Sequence, residues 1–159
     1  MRIISGKYRG RRFDPPPVLG IRPTTDKARE ALFNILAHRF EIEGARVLEL
    51  FAGSGAVSLE FLSRGAQAAT LVEANARTAA YLRALFARLG EAQAQVLNQR
   101  AEAFVSRPTG GPWDMVFLDP PYALPGKAGL VSALLTGSHL APGGLLVLEH
   151  PLHEAHSHV

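Results

Sequence analysis

Along the chain, short apolar runs alternate with longer stretches in which apolar residues recur every three or four positions. The short runs are 46–50, 68–72, 95–97, 115–118 and 145–148. Bounded by glycine, proline or polar residues, they predict strands. Between them, 56–64, 75–89, 101–105 and the stretch around 130–135 carry helical spacing. In 75–89, Tyr81, Leu82, Leu85, Phe86 and Leu89 fall on one face. Upstream, Thr24 and Thr25 can cap a helix in which Ala28, Leu32, Ile35, Leu36 and Phe40 recur at three to four residue spacing, with Gly44 closing it. Strands apolar on both faces and separated by helices predict an α/β fold: a doubly wound, mostly parallel sheet covered on both sides.

The first twenty residues read differently. Short apolar pieces (Ile3, Ile4, Tyr8, Phe13) alternate with Gly6 and Gly10, and Pro15-Pro16-Pro17 ends the segment. That pattern predicts a small hairpin or arm over 1–20, joined to a body over 21–159. Charge separates the two parts. Residues 1–30 carry eight Lys and Arg against three acids, whereas 31–159 carry nine against eleven. Of the six basic residues before Pro23, Arg2, Arg9, Arg11, Arg12 and Arg22 are arginine and only Lys7 is lysine. Guanidinium forks match phosphate oxygens bidentately, so a nucleic-acid contact is expected there.

Composition narrows the class. With 47% hydrophobic and 19% charged residues the chain is globular in character, and no run approaches the roughly 18 apolar residues of a membrane span. It has no cysteine, which excludes disulfides, a thiolate zinc site and a cysteine nucleophile. The N-terminus lacks the apolar block of a secretory signal, so a cytoplasmic location is expected. His150, His153, His156 and His158 crowd the far end without an acid cluster in a structured frame, and they predict a solvated tail and no metal. Trp113, Phe104 and Phe117 read as core or lid residues.

Ligands of an open parallel sheet bind beyond the carboxyl ends of its strands, and four polar features fall there. The turn Phe51-Ala52-Gly53-Ser54-Gly55 follows the first strand and opens a helix, a geometry suited to close backbone approach of a nucleotide. Glu73 ends the second strand, where a carboxylate can accept from two ribose hydroxyls. The dinucleotide fingerprint is incomplete, since Ser58 stands where its third glycine belongs. Glu49, just before the turn, would repel a pyrophosphate and suit a cationic ligand, which favours S-adenosylmethionine over NAD. Asn98-Gln99-Arg100-Ala101-Glu102 follows the third strand and suits either contact to an adenine edge or a helix cap at Asn98. Asp119-Pro120-Pro121-Tyr122 follows the fourth. Its prolines stiffen the backbone, Asp119 and the Pro120 carbonyl provide two acceptors for an exocyclic NH2, and Tyr122 offers a face for a stacked base.

With these residues in place, the chain resembles the RsmD family of 16S ribosomal RNA guanine-N2 methyltransferases. The resemblance runs through Arg2-Ile3-Ile4-Ser5-Gly6-Lys7-Tyr8-Arg9-Gly10, Arg22-Pro23-Thr24-Thr25-Asp26-Lys27-Ala28-Arg29-Glu30, the glycine turn and Asp119-Pro120-Pro121-Tyr122. It implies a Rossmann-like class I methyltransferase fold, S-adenosylmethionine as donor, and methylation of guanine 966 of 16S rRNA in the small subunit. Carried over, Glu49, Phe51, Gly53, Gly55, Glu73, Arg100, Ala101 and Asp119 would bind the cofactor. Asp119, Pro120 and Tyr122 would hold the guanine, and Lys7, Arg9, Arg11, Arg12 and Arg22 would grip RNA. A monomer is expected. The family's sheet continues past the fifth strand into two more, which this sequence is expected to lack. A DNA amino-methyltransferase and a non-catalytic cofactor-binding RNA module remain as alternatives.

Overall fold

The computed structural model describes residues 1–21, 25–121 and 123–149; Arg22, Thr24, Tyr122 and the terminal histidines lie outside them. Five strands, β1 (Arg46–Leu50), β2 (Ala68–Val72), β3 (Ala94–Leu97), β4 (Trp113–Leu118) and β5 (Leu140–Leu148), form one sheet in the order β3-β2-β1-β4-β5. Every neighbouring pair is parallel. Winding runs outward from β1 through β2 to β3, then returns to the other side of β1 for β4. The reversal falls between β1 and β4, and that is where an open α/β sheet leaves a crevice.

Alternation along each strand sends successive side chains to opposite faces. Val47, Leu71, Met115 and Phe117 meet α1 (Asp26–Arg39), α2 (Ala56–Ser63) and α3 (Ala76–Leu89) through Phe33, Leu59, Phe61, Leu82 and Phe86. Leu48, Leu50, Val116 and Leu118 meet α4 (Ala101–Ser106) and α5 (Lys127–Thr136) through Phe104, Leu130 and Leu134. Phe104, Trp113 and Phe117 are all buried core residues. Among the described residues no helix is long and apolar enough to cross a membrane.

The first helix departs from its expected face. Thr25 caps it as expected, its Oγ1 accepting from the Ala28 N–H. The buried positions, however, are Arg29, Phe33 and Leu36, while Ile35 is 58% exposed. A charge can take the inward position because its partner does too: Arg29 Nε lies 3.5 Å from Oε1 of the fully buried Glu60 on α2. The other Glu60 oxygen accepts from Arg64 Nε at 2.8 Å. Glu60 also takes the N–H groups of Ile4 and Ser5, at 2.9 and 3.1 Å.

Those last bonds draw the N-terminal segment onto the body. Arg2 and Arg12 form an antiparallel bridge, and Ile3 and Tyr8 are buried among the α1, α2 and α3 side chains. The segment's tip docks on the last residue of α2: Lys7 N–H donates to Ser63 O, Tyr8 N–H to Ser63 Oγ, and Ser63 Oγ to Ser5 O. Tyr8 and Lys7 both reach Glu91, beyond α3. The proline run expected as a linker ends in a short 3-10 turn, Pro17–Leu19.

Candidate active site

The β1–α2 turn is shaped by left-handed backbone at Phe51 (φ 58°), Gly53 (φ 55°) and Gly55 (φ 73°). The two glycines serve different ends. A Cβ on Gly53 would meet nothing nearer than Ile21 at 3.6 Å, and its backbone borders the cleft described below. A Cβ on Gly55 would stand 2.8 Å from Leu82 of α3, so this glycine is required by helix packing. Gly55 itself borders neither cavity, although its neighbours Ser54 and Ala56 border the smaller one described below.

Glu73, one residue beyond β2, organises the crevice. Its Oε1 accepts from the Gly53 N–H and its Oε2 from the Asn75 N–H, both at 2.9 Å. Its own N–H continues the sheet ladder to Leu97 O at 3.0 Å. Each carboxylate oxygen keeps a further lone pair for a ligand hydroxyl. Around it opens a cleft of about 720 Å³ bordered by Ile21, Phe51, Gly53, Glu73, Arg100, Ala101 and Asp119, among others. That volume lies in the range of small-molecule sites. Expected cofactor residues from three strand ends, those of β1, β2 and β3, thus meet in one cavity with the aspartate that follows β4.

A second, smaller cavity of about 50 Å³ adjoins the cleft, and Ile21, Phe51, Gly53 and Asp119 border both. Three acidic residues, Glu49, Asp119 and Glu149, are among those that line it. Glu49 lies beneath the first turn of α2, where Oε1 accepts from the Ser58 N–H (3.0 Å) and Oγ–H (2.7 Å). The expectation of a simply ionised acid here is altered by burial, which pushes the Glu49 carboxyl up to about 8. The Ser58 hydrogen bonds oppose that shift, and the charges of Asp119 and Glu73 add to it. A cation in this cavity would favour the ionised form.

Glu149 was not among the expected site residues. It follows β5 as Glu73 follows β2 and Asp119 follows β4, and its N–H donates to Leu118 O, extending the ladder. The rule that selected the other strand-end acids would have found it. Pro120 is buried and borders neither cavity, whereas Pro121 borders the cleft. Asn98 neither contacts the cleft nor caps a helix, because Arg100 is the N-cap of α4. Its side-chain amide instead donates to Glu73 O and Ala74 O.

Among the described residues, the hairpin tip that carries Lys7 and Arg9 stands apart from this site. α2 starts at the glycine turn and ends at Ser63, about 10 Å away along its axis, and the hairpin tip docks at that far end. Arg9, Arg11 and Arg12 are exposed. The Arg11 guanidinium packs over Tyr8 and Phe13, 5.5 and 5.1 Å from their ring centres. Lys7 is engaged by Glu91, and that contact raises its affinity for a proton. Among the described residues no group of three or more His, Asp or Glu could hold a metal ion.

Comparison with known proteins gives this geometry a lineage. A family profile described as conserved hypothetical protein 95 matches residues 1–158. The ribosomal RNA small subunit methyltransferase D of Escherichia coli K12 is 40% identical over 149 residues, covering 94% of this chain and 74% of its own length. The chain belongs to the RsmD family. A solved Escherichia coli structure at 40% identity superposes on it with a TM-score of 0.82, covering 93% of this chain and 80% of the other. The RsmD-type sheet is shared more widely. Coclaurine N-methyltransferase, only 19% identical, superposes with a TM-score of 0.63 over 80% of this chain and 36% of its own, which speaks for the class I methyltransferase fold alone.

Proposed function

We propose that this chain is an S-adenosylmethionine-dependent methyltransferase that modifies the exocyclic N2 of a guanine in small-subunit ribosomal RNA, at the position numbered 966 in 16S rRNA. The observation that carries the reading is the meeting, at the β1/β4 switch point, of the Glu73 cleft, the small acid-walled cavity and Asp119. The relatives' names supply the RNA and the subunit. The cleft suits a nucleoside, with Glu73 receiving ribose hydroxyls and Arg100 and Ala101 bordering the base. The small cavity suits an ammonium group, with Glu49, Asp119 and Glu149 as its acidic wall.

S-adenosylmethionine, when bound, supplies an electrophilic methyl group. The chain supplies position. Asp119 accepts a hydrogen bond from the guanine amine, drawing its lone pair out of conjugation with the ring and holding it in line for attack. A carbon–nitrogen bond forms, a carbon–sulfur bond breaks, and the amine loses one proton, for which Asp119 and water are acceptors. The base must leave its stack to reach the site, and Tyr122, from the sequence, provides the replacement stacking face.

Transfer of labelled methyl to unmethylated small ribosomal subunits, with naked 16S rRNA and duplex DNA alongside, tests the proposal when followed by nucleoside identification. N2-methylguanosine from the ribosomal sample is the expected product. N6-methyladenine or N4-methylcytosine in the DNA would establish the DNA amino-methyltransferase instead. Cofactor binding with no methylated product would leave a non-catalytic RNA module.

A further inference from the structure

We infer that Asn98 is a positioning residue for the nucleoside end of the cleft, clasping the turn that carries Glu73 from the β3 side. The inference rests on the reading of Glu73 as the ribose acceptor. Asn98 is the first residue after β3, and its side-chain NH2 has two hydrogens to donate. They go to successive carbonyls of the neighbouring turn, Glu73 O at 2.9 Å and Ala74 O at 3.0 Å. The Asn98 side chain does not border the cleft, so it acts through what it holds.

Apart from Asn98, what holds this turn is main-chain N–H groups. On the β1 side, the Gly53 N–H reaches the Glu73 carboxylate; within the turn, the Asn75 N–H does the same. On the β3 side, the ladder bond from Glu73 N–H to Leu97 O is the last regular contact, and it lies before the turn bends away. Beyond that point the two Asn98 bonds tie the turn to β3. Without them the Glu73 main chain can rotate about its remaining anchors, and the carboxylate moves with it.

The energetic signature separates positioning from bulk stability. Asn98 is exposed, so water can replace its amide at both carbonyls when the side chain is removed. Folding stability should change little. A carboxylate that must meet two ribose hydroxyls at once is far less forgiving, because charge-assisted hydrogen bonds weaken steeply with misalignment.

The test is a ligand-by-variant cycle on the full 159-residue chain, with Asn98→Ala. Each protein is titrated calorimetrically with S-adenosylhomocysteine and with its 2′,3′-dideoxy analogue. The wild-type chain should bind the dideoxy analogue about tenfold more weakly than the parent. In the variant the parent should lose about five- to tenfold while the analogue changes less than twofold, with the thermal midpoint within about 2 °C of wild type. Asn98→Ser takes its place if the alanine variant does not fold. Equal losses for both ligands would mark a general loosening of the cleft and overturn the positioning role, as would no loss for either. A wild-type chain that binds neither ligand overturns the cofactor reading and this inference with it. Discrimination in the wild type that persists unchanged in the variant overturns only the role of Asn98.

Discussion

At the scale of single residues, two acids that border the same small cavity, Asp119 and Glu49, differ in their surroundings and in their expected tasks. Asp119 borders both cavities, and its proposed work is done on the amine. Asp119→Ala should therefore lower methyl transfer by at least about a hundredfold, well beyond the affinity for S-adenosylmethionine that it loses as one of three acids on the small cavity's wall. Single-turnover assays beside equilibrium binding measure the two numbers, and equal losses would remove the aspartate from the chemistry. Glu49 is 4% exposed and titrates near 8 against an ordinary value of 4.5. Between those two values the folded chain holds a proton that the unfolded chain has released, so this group's contribution to stability is complete below pH 4.5 and lost as pH rises to about 8. Glu49→Gln keeps an acceptor for Ser58 and cannot ionise. The variant should gain on wild type by up to a few kcal/mol between pH 5 and pH 9. Parallel stability–pH curves for the two proteins would show that Glu49 does not titrate in this window.

At the scale of elements, the same contrast separates two glycines of the N-terminal hairpin. Gly6 and Gly10 have similar backbone, with φ at 90° and 82°. A Cβ on Gly10 would enter open space, but one on Gly6 would lie 1.9 Å from Ser63 O. Gly10→Ala should cost about 1 kcal/mol, from backbone strain alone. Gly6→Ala should cost at least twice that, or release the hairpin, seen as faster amide exchange at Lys7 and Tyr8. Neither difference is visible in the sequence, where the two are simply glycines in a short loop.

The elements themselves were largely legible. β1, β2 and β4 were readable because strands buried on both faces leave apolar runs, whereas the less buried β3 and β5 were read from shorter ones. β5 begins earlier than its apolar run because Pro142, Gly143 and Gly144 interrupt the pattern, and the register against β4 shifts between Trp113 and Met115. The inward face of α1 was not readable, since the burial of Arg29 depends on Glu60, thirty-one positions away on another helix. In the site, acids at strand ends could be picked out by place alone. Asn98 could be picked out by place too, but its role could not, because its partners are backbone carbonyls of a different turn and carry no side-chain signature.

At the scale of the whole molecule, the tip of the basic hairpin and the crevice lie at opposite ends of α2. If the hairpin grips RNA, its contacts fall well away from the target base and serve affinity instead of chemistry. Replacing Arg9, Arg11 and Arg12 together with alanine should weaken RNA binding, reduce the slope of log affinity against log salt by roughly two units, and leave cofactor affinity unchanged. Salt-dependent binding isotherms measure all three effects. An unchanged slope would place the RNA contact elsewhere. Substitution is the sharper tool here, since deleting the segment would also strip Ile3, Tyr8 and the Glu60 contacts from the core.

The ladder bonds that continue past the strands, from Ala52 to Val72, Glu73 to Leu97 and Glu149 to Leu118, have a further effect. They keep the loops in step with the sheet, so the loops inherit its spacing. Glu73 and Asp119 follow β2 and β4, two strand intervals apart, roughly 10 Å. The sheet is thus a ruler with fixed graduations, measuring from the proposed ribose acceptor to the proposed amine acceptor. Changes in the loops can alter which base is read at the far mark. The spacing of the strands that carry the marks is set by the backbone hydrogen bond.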